Sequence, residues 1–287
     1  MPAQSAGMSL PQARTGFVTH LTRHEQTGTP VPMPPSGIRL VKYPSRVGDL
    51  AAYVTEPRDT TKRYPAIIWI VGGFDNSIDD TFWTSASPDN DQSAVAFRKA
   101  GVVTMYPSLR GGNQNPGYKE GLYGEVEDIV SAAEWLYQQK YVDPTRIYLG
   151  GHSTGGTLAL LTAETTPGFR AVFAFGPVAD VRAYGAAKLP FDTTNKLEIV
   201  VRSPLYWLDS IHTPTFVFEG DQNPSNLDSL KLIGSKSHNS LLHTAVLPGA
   251  THFSSLARFT PVVAKKIVGD TGAKCNISFT EQDLQGR

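Results

Sequence analysis

One cysteine, Cys275, stands in a chain of 287 residues, which excludes an internal disulfide framework and a multi-cysteine metal site. A single thiol fits a reducing compartment without requiring one, and Cys275 reads as a near-terminal thiol with no chemistry of its own. An excess of charge is lacking too. The 26 basic side chains balance 26 acidic ones, so no global field favours nucleic acid or an anionic membrane. No run reaches the ~20 apolar residues that span a bilayer. Met1 to Leu10 is small and polar, without the charged start and apolar core of a signal peptide. The expectation is a soluble, cytoplasmic protein with no nucleic-acid or membrane partner. H-E-x-x-H pairs, Cys/His clusters, G-x-G-x-x-G and Walker loops are also missing, so neither metal nor cofactor is expected.

What is present is an alternation of strand-like and helix-like segments. Residues 1–36 carry Pro30, Pro32, Pro34 and Pro35 and no period, which predicts an extended arm, and residues 37–287 a single domain. Strands are expected at Ile38–Tyr43, Leu50–Thr55, Ala66–Val71, Val102–Tyr106, Arg146–Gly150, Ala171–Phe175, Thr215–Phe218 and His243–Leu247. The unbroken apolar run Ala66–Val71 suits a parallel strand covered on both faces. Helices are expected at Asp91–Ala100, at Ser255–Val268 and, most clearly, at Glu125–Lys140. There Val126, Ile129, Val130, Ala133, Leu136 and Tyr137 recur at i, i+3, i+4 and i+7. The pattern predicts an α/β fold with a mostly parallel sheet flanked by helices. Between Gly176 and Pro214, after the sixth strand, the alternation lapses, leaving room for a small cap over 177–213.

Gly151-His152-Ser153-Thr154-Gly155 follows a predicted strand directly and precedes a predicted helix. This is G-x-S-x-G at a strand-to-helix turn. Such a turn holds the Ser153 hydroxyl clear of the sheet, and the helix aims its free N–H groups and positive dipole end beside it. Ser153 is therefore the candidate nucleophile.

A serine hydroxyl needs a base. Of seven histidines, His252 lies in the small-residue loop Gly249–Phe253, after the last strand and before the last helix. That is the carboxyl edge of the sheet, shared with Ser153, and it makes His252 the expected general base. His152 is expected to point under the strand and to be packed or hydrogen-bonded. An acid must fix the tautomer of the base. The loop after Thr215–Phe218 offers Asp221 as the preferred carboxylate and Glu219 as its alternative, with Asp180 and Asp228 behind them. The oxyanion donors are expected to be the N–H of Thr154 and that of Gly73 or Phe74, from Gly72-Gly73-Phe74 after the third strand. The order Gly-Gly, Ser, acid, His is the order of an α/β-hydrolase fold.

The chain resembles the catalytic domain of the prolyl-oligopeptidase family of serine peptidases, from about Pro65 to Asp270. The likeness rests on Ser108-Leu109-Arg110-Gly111-Gly112, on Tyr141-Val142-Asp143-Pro144-Thr145-Arg146-Ile147, and on Gly150 to Gly156. Ser203-Pro204 and Ile211–Pro214 are similar to the family's approach to its acid strand. The resemblance implies a triad of Ser153, Asp221 and His252. Three differences stand beside it. Val71-Gly72-Gly73 replaces the family's His-Gly-Gly, and Asn223 falls where the G-x-x-D pattern has its aspartate. The 36-residue arm is also too short for the family's β-propeller, so restriction to short peptides does not carry over. The expected activity is hydrolysis of a small ester or short peptide through an acyl-enzyme. A non-catalytic scaffold and an acyltransferase are the competing readings. Phe74, Trp83, Tyr184, Phe191 and Trp207 are candidates for an aromatic pocket.

Overall fold

The computed structural model describes residues 8–285; the first seven residues of the expected arm and the last two of the chain lie outside the described residues. In chain order the elements are α1 (Leu10–Arg14), β1 (Ile38–Ser45), β2 (Gly48–Thr55), β3 (Tyr64–Ile70), α2 (Val95–Lys99), β4 (Val103–Pro107), α3 (Glu125–Tyr137), β5 (Val142–His152), α4 (Thr154–Ala163), β6 (Val172–Phe175), α5 (Lys196–Val200), β7 (Thr215–Gln222), α6 (Leu227–Lys236), β8 (Leu242–Thr251), α7 (Ser254–Gly269) and α8 (Glu281–Leu284). The strands form one sheet in the order β1-β2-β4-β3-β5-β6-β7-β8. The β1–β2 hairpin joins antiparallel at one edge, and all pairs from β4 to β8 are parallel.

Strand alternation explains why two apolar layers exist. In β3, Ala66, Ile68 and Ile70 enter one core, while Ile67 and Trp69 enter the other. In β6, Val172 and Ala174 face the first and Phe173 and Phe175 the second. The first core is closed by Val126, Ile129 and Leu136 of α3 and by Leu158, Leu160 and Leu161 of α4. The second is closed by Phe97 of α2 and by Phe259, Val263 and Ile267 of α7. Helix α4 is buried on every side, as its unbroken apolar and small residues require.

Three expectations need correction. The arm is not wholly extended. Ser9 and Gln12 form a capping box that starts α1, and Leu10 is completely buried. The expected helix Asp91–Ala100 shrinks to Val95–Lys99, because Asp91 spends its carboxylate on the N–H and hydroxyl of Ser93 in a local turn. Helix α6 joins β7 to β8 where no helix was expected; of its ten residues only Leu230 and Ile233 are buried. The segment 177–213, the candidate cap, is a run of short helical turns that includes α5. It holds the arm through the N–H groups of Thr22 and Arg23, which donate to Pro190 O. Among the described residues, no helix is long and apolar enough to cross a membrane.

Candidate active site

Strand β5 ends at His152 and α4 begins at Thr154, so Ser153 alone makes the turn. Its backbone sits at φ 56° and ψ −117°, a region that L-residues adopt only under constraint. The constraint is visible. Ser153 N donates to Phe175 O at 2.8 Å, and Ser153 O accepts from Thr157 N at 2.9 Å. Small neighbours are obligatory here, since a Cβ on Gly155 would lie 2.3 Å from Ile70 O. Thr154, the first residue of α4, has a backbone N–H without an intrahelical partner. Its hydroxyl donates to Gly73 O at 2.5 Å, which ties the loop after β3 to the head of the helix.

His252 follows β8 directly and is largely buried. Its Nδ1 lies 2.8 Å from Glu219 Oε2, inside β7. Glu219 is 1% exposed, and each of its oxygens accepts a backbone N–H as well: Oε1 from Gly220 and Oε2 from Asn226. A carboxylate oxygen accepting from Nδ1 fixes the Nδ1–H tautomer of His252 and leaves Nε2 with its lone pair. Neither Ser153 Oγ nor His252 Nε2 makes a hydrogen bond among the described residues. The His252 ring rests on Gly176, where a Cβ would come within 2.4 Å of Cε1 and 2.9 Å of Glu219 Oε2. The neighbouring residue, Phe175, receives the Ser153 N–H, so nucleophile candidate and base candidate flank consecutive residues at the end of β6.

Asp221 is corrected as the partner of His252. It lies beyond the buried part of β7, past a register shift between Gly220 and Gln222, and is exposed. It accepts from Gln222 Nε2 and Gly249 N, and these hydrogen bonds hold its carboxyl below the usual carboxylate range. Asp180 is committed to Arg182, and Asp228 lies in the first turn of α6. The aromatic pocket is corrected as well. Phe191 and Trp207 belong to the first core and Trp83 packs on Tyr53. Only Phe74 and Tyr184 pair beside the site, edge to face at 5.1 Å, with the Tyr184 hydroxyl 2.6 Å from Thr157 Oγ1.

The sequence reading missed the side chains that hold these loops. Asn226 donates its side-chain N–H to Gly176 O. Glu125 accepts from the N–H groups of Glu120, Gly121 and Tyr123 and from Asn76 Nδ2. Arg110, in the Arg-Gly pair, clamps Asp128 and Glu120 and anchors the loop after β4 to α3. A patterned signal existed only for Arg110. Among the described residues, no cluster of three or more His, Cys, Asp or Glu side chains could hold a metal ion.

The chain is 28% identical over 152 residues to prolyl oligopeptidase ophP of Omphalotus olearius, covering 49% of this chain and 19% of that protein. It spans between 14% and 56% of the length of the first curated relatives it matches. A puromycin-hydrolysing peptidase from Mycobacterium tuberculosis superposes with a TM-score of 0.65 at 17% identity, covering 85% of this chain and 41% of that one. An esterase from Pyrobaculum calidifontis superposes with a TM-score of 0.59 at 18% identity, covering 83% and 87%. At such identities the superpositions carry the fold, which is that of the α/β-hydrolases. The family model for the prolyl oligopeptidase family matches residues 88–254, more than half of the chain, and the protein belongs to that family.

Proposed function

We propose that the protein is a serine hydrolase that cleaves ester or amide bonds through an acyl-enzyme. The observation that carries this reading is the buried contact between His252 Nδ1 and Glu219 on the edge where Ser153 is held at a strained turn. Ser153 Oγ attacks the acyl carbon as His252 Nε2 takes its proton. Glu219, rather than Asp221, stabilises the imidazolium. The N–H of Thr154 and that of Gly73 or Phe74 receive the oxyanion. His252 then protonates the leaving alkoxide or amine, and water repeats the sequence to release the acid.

The activities of the relatives, peptidases and an esterase, support an acyl substrate. The esterase, of which this chain covers 87%, supports an ester substrate in particular. The test is p-nitrophenyl acetate hydrolysis together with fluorophosphonate labelling. Ser153→Ala is expected to lower kcat by at least about 10³-fold and to abolish labelling. Undiminished hydrolysis by Ser153→Ala would remove the reading. Absence of both hydrolysis and labelling in the native chain would favour a scaffold, and label without hydrolysis an acyltransferase.

A further inference from the structure

Gln92 lies in the loop before α2, far in sequence from the elbow, yet its amide is fully engaged there. Oε1 accepts the Gly72 N–H at 3.4 Å. Nε2 donates to Asn90 Oδ1 at 2.8 Å and contacts His152 Nδ1 at 2.8 Å. A backbone N–H can only donate, so the amide oxygen must face Gly72 and the NH₂ must face His152. His152 Nδ1 is then an acceptor, and the proton of the neutral ring resides on Nε2. That Nε2 donates to the backbone carbonyl of His252 at 2.9 Å. The same carbonyl accepts from Ser255 Oγ at 2.8 Å, and His252 N donates to Pro224 O at 2.7 Å.

We propose that Gln92 and His152 are positioning residues, forming a one-directional chain of hydrogen bonds, Gly72 to Gln92 to His152 to His252, that holds the oxyanion loop and the base in register with Ser153. The proposal rests on the hydrolase reading above and adds to it the part that sets the relative placement of its loops. His152 cannot act on substrate itself, since it is completely buried and both ring nitrogens are occupied. Its ring centroid is 4.4 Å from that of His252, with Phe253 at 5.7 Å and the amide of Gln92 on its far side. Among these neighbours no carboxylate faces His152. A charge on it would oppose the imidazolium that forms on His252 during turnover. Burial, and then the neighbouring His252, pull the His152 pKa down to about 3, so the relay is neutral at working pH.

The experiment separates positioning from simple packing. His152→Phe keeps a ring and loses both hydrogen bonds, whereas His152→Gln retains an N–H that can reach the His252 carbonyl. With p-nitrophenyl acetate, His152→Phe is expected to lower kcat about 10–100-fold with KM changed less than about threefold, as displacement of a catalytic group by a fraction of an ångström does. His152→Gln should recover to within about fivefold of the native kcat by retaining the bond to the carbonyl. Gln92→Leu, at a less buried position and checked for folding by circular dichroism, should lower kcat about tenfold with the same small change in KM. Native kcat in Gln92→Leu, or a His152→Gln variant no better than His152→Phe, overturns the relay. Ser153→Ala assayed alongside distinguishes the two levels. If it remains active, the hydrolase reading fails; if it is inactive while the relay variants keep native kcat, only the relay fails.

Discussion

Glu219 and Asp221 are two residues apart on one strand, yet they meet opposite surroundings. Glu219 is covered and receives two backbone N–H groups besides the imidazole, whereas Asp221 faces solvent. Glu219→Gln should therefore cut kcat about 10³–10⁴-fold, since the amide can hold the wrong imidazole tautomer and carries no charge. Asp221→Asn should leave kcat within about twofold, a difference that steady-state assays resolve. His152 supplies a stability signature. Its native pKa of about 3 lies below the ordinary 6.5, so the unfolded chain takes up a proton that the native state refuses. The stability it contributes is present above pH 6.5 and is lost progressively as pH falls toward 3. The melting temperature of the native chain, minus that of His152→Gln, should fall between pH 7 and pH 4; a flat difference would contradict a neutral buried ring.

At the level of elements, α4 ends in an unusual side chain. Glu164 is buried, and neither of its carboxylate oxygens has a hydrogen-bond partner among the described residues. Burial pushes its pKa well above the usual carboxylate range, with the nearby Arg14 opposing only in part. The unfolded chain ionises this group above about pH 4.5 while the native state holds its proton to higher pH, so its burial costs more stability as pH rises. Glu164→Gln should raise the melting temperature at pH 8, with little gain at pH 4; equal shifts at both pH values would refute a raised Glu164 pKa. The elements that carry a clear period were legible in the chain. β3, with its unbroken apolar run, and α3, with its spaced apolar face, stand within a few residues of expectation. α6 was not, because two buried residues in ten leave no period to read and Gly234 weakens the helical pattern further.

Across the whole molecule, the arm acts as a strap over the side of the domain that carries α3 and the 177–213 segment. Arg14 donates to Val201 O, Tyr123 O and Leu122 O, and burial together with the neighbouring Arg202 lowers its pKa to about 10. Thr19 and His20 bond to Glu198, itself paired with Arg202, and Leu21 bridges to Phe191. Arg14→Met would leave three partly buried carbonyls without this donor, at a cost of about 3 kcal/mol. At this chain length that corresponds to a melting temperature lower by roughly 6–12 °C, measurable by scanning calorimetry. A shift under about 2 °C would show the arm to be dispensable to the fold.

The amino-acid sequence by itself determined the sheet-and-helix alternation, the turn at Ser153 and the placing of His252 beyond the last strand. Each of these is written in local periodicity and in small residues beside one another. Only the tertiary structure decided which carboxylate meets His252, because that depends on where β7 stops being covered and on the register shift against β8. It alone decided that Gln92 reaches His152 and that the arm grips the domain through Arg14. Those are contacts between polar side chains and distant backbone groups, and no sequence period records a hydrogen bond made across the fold.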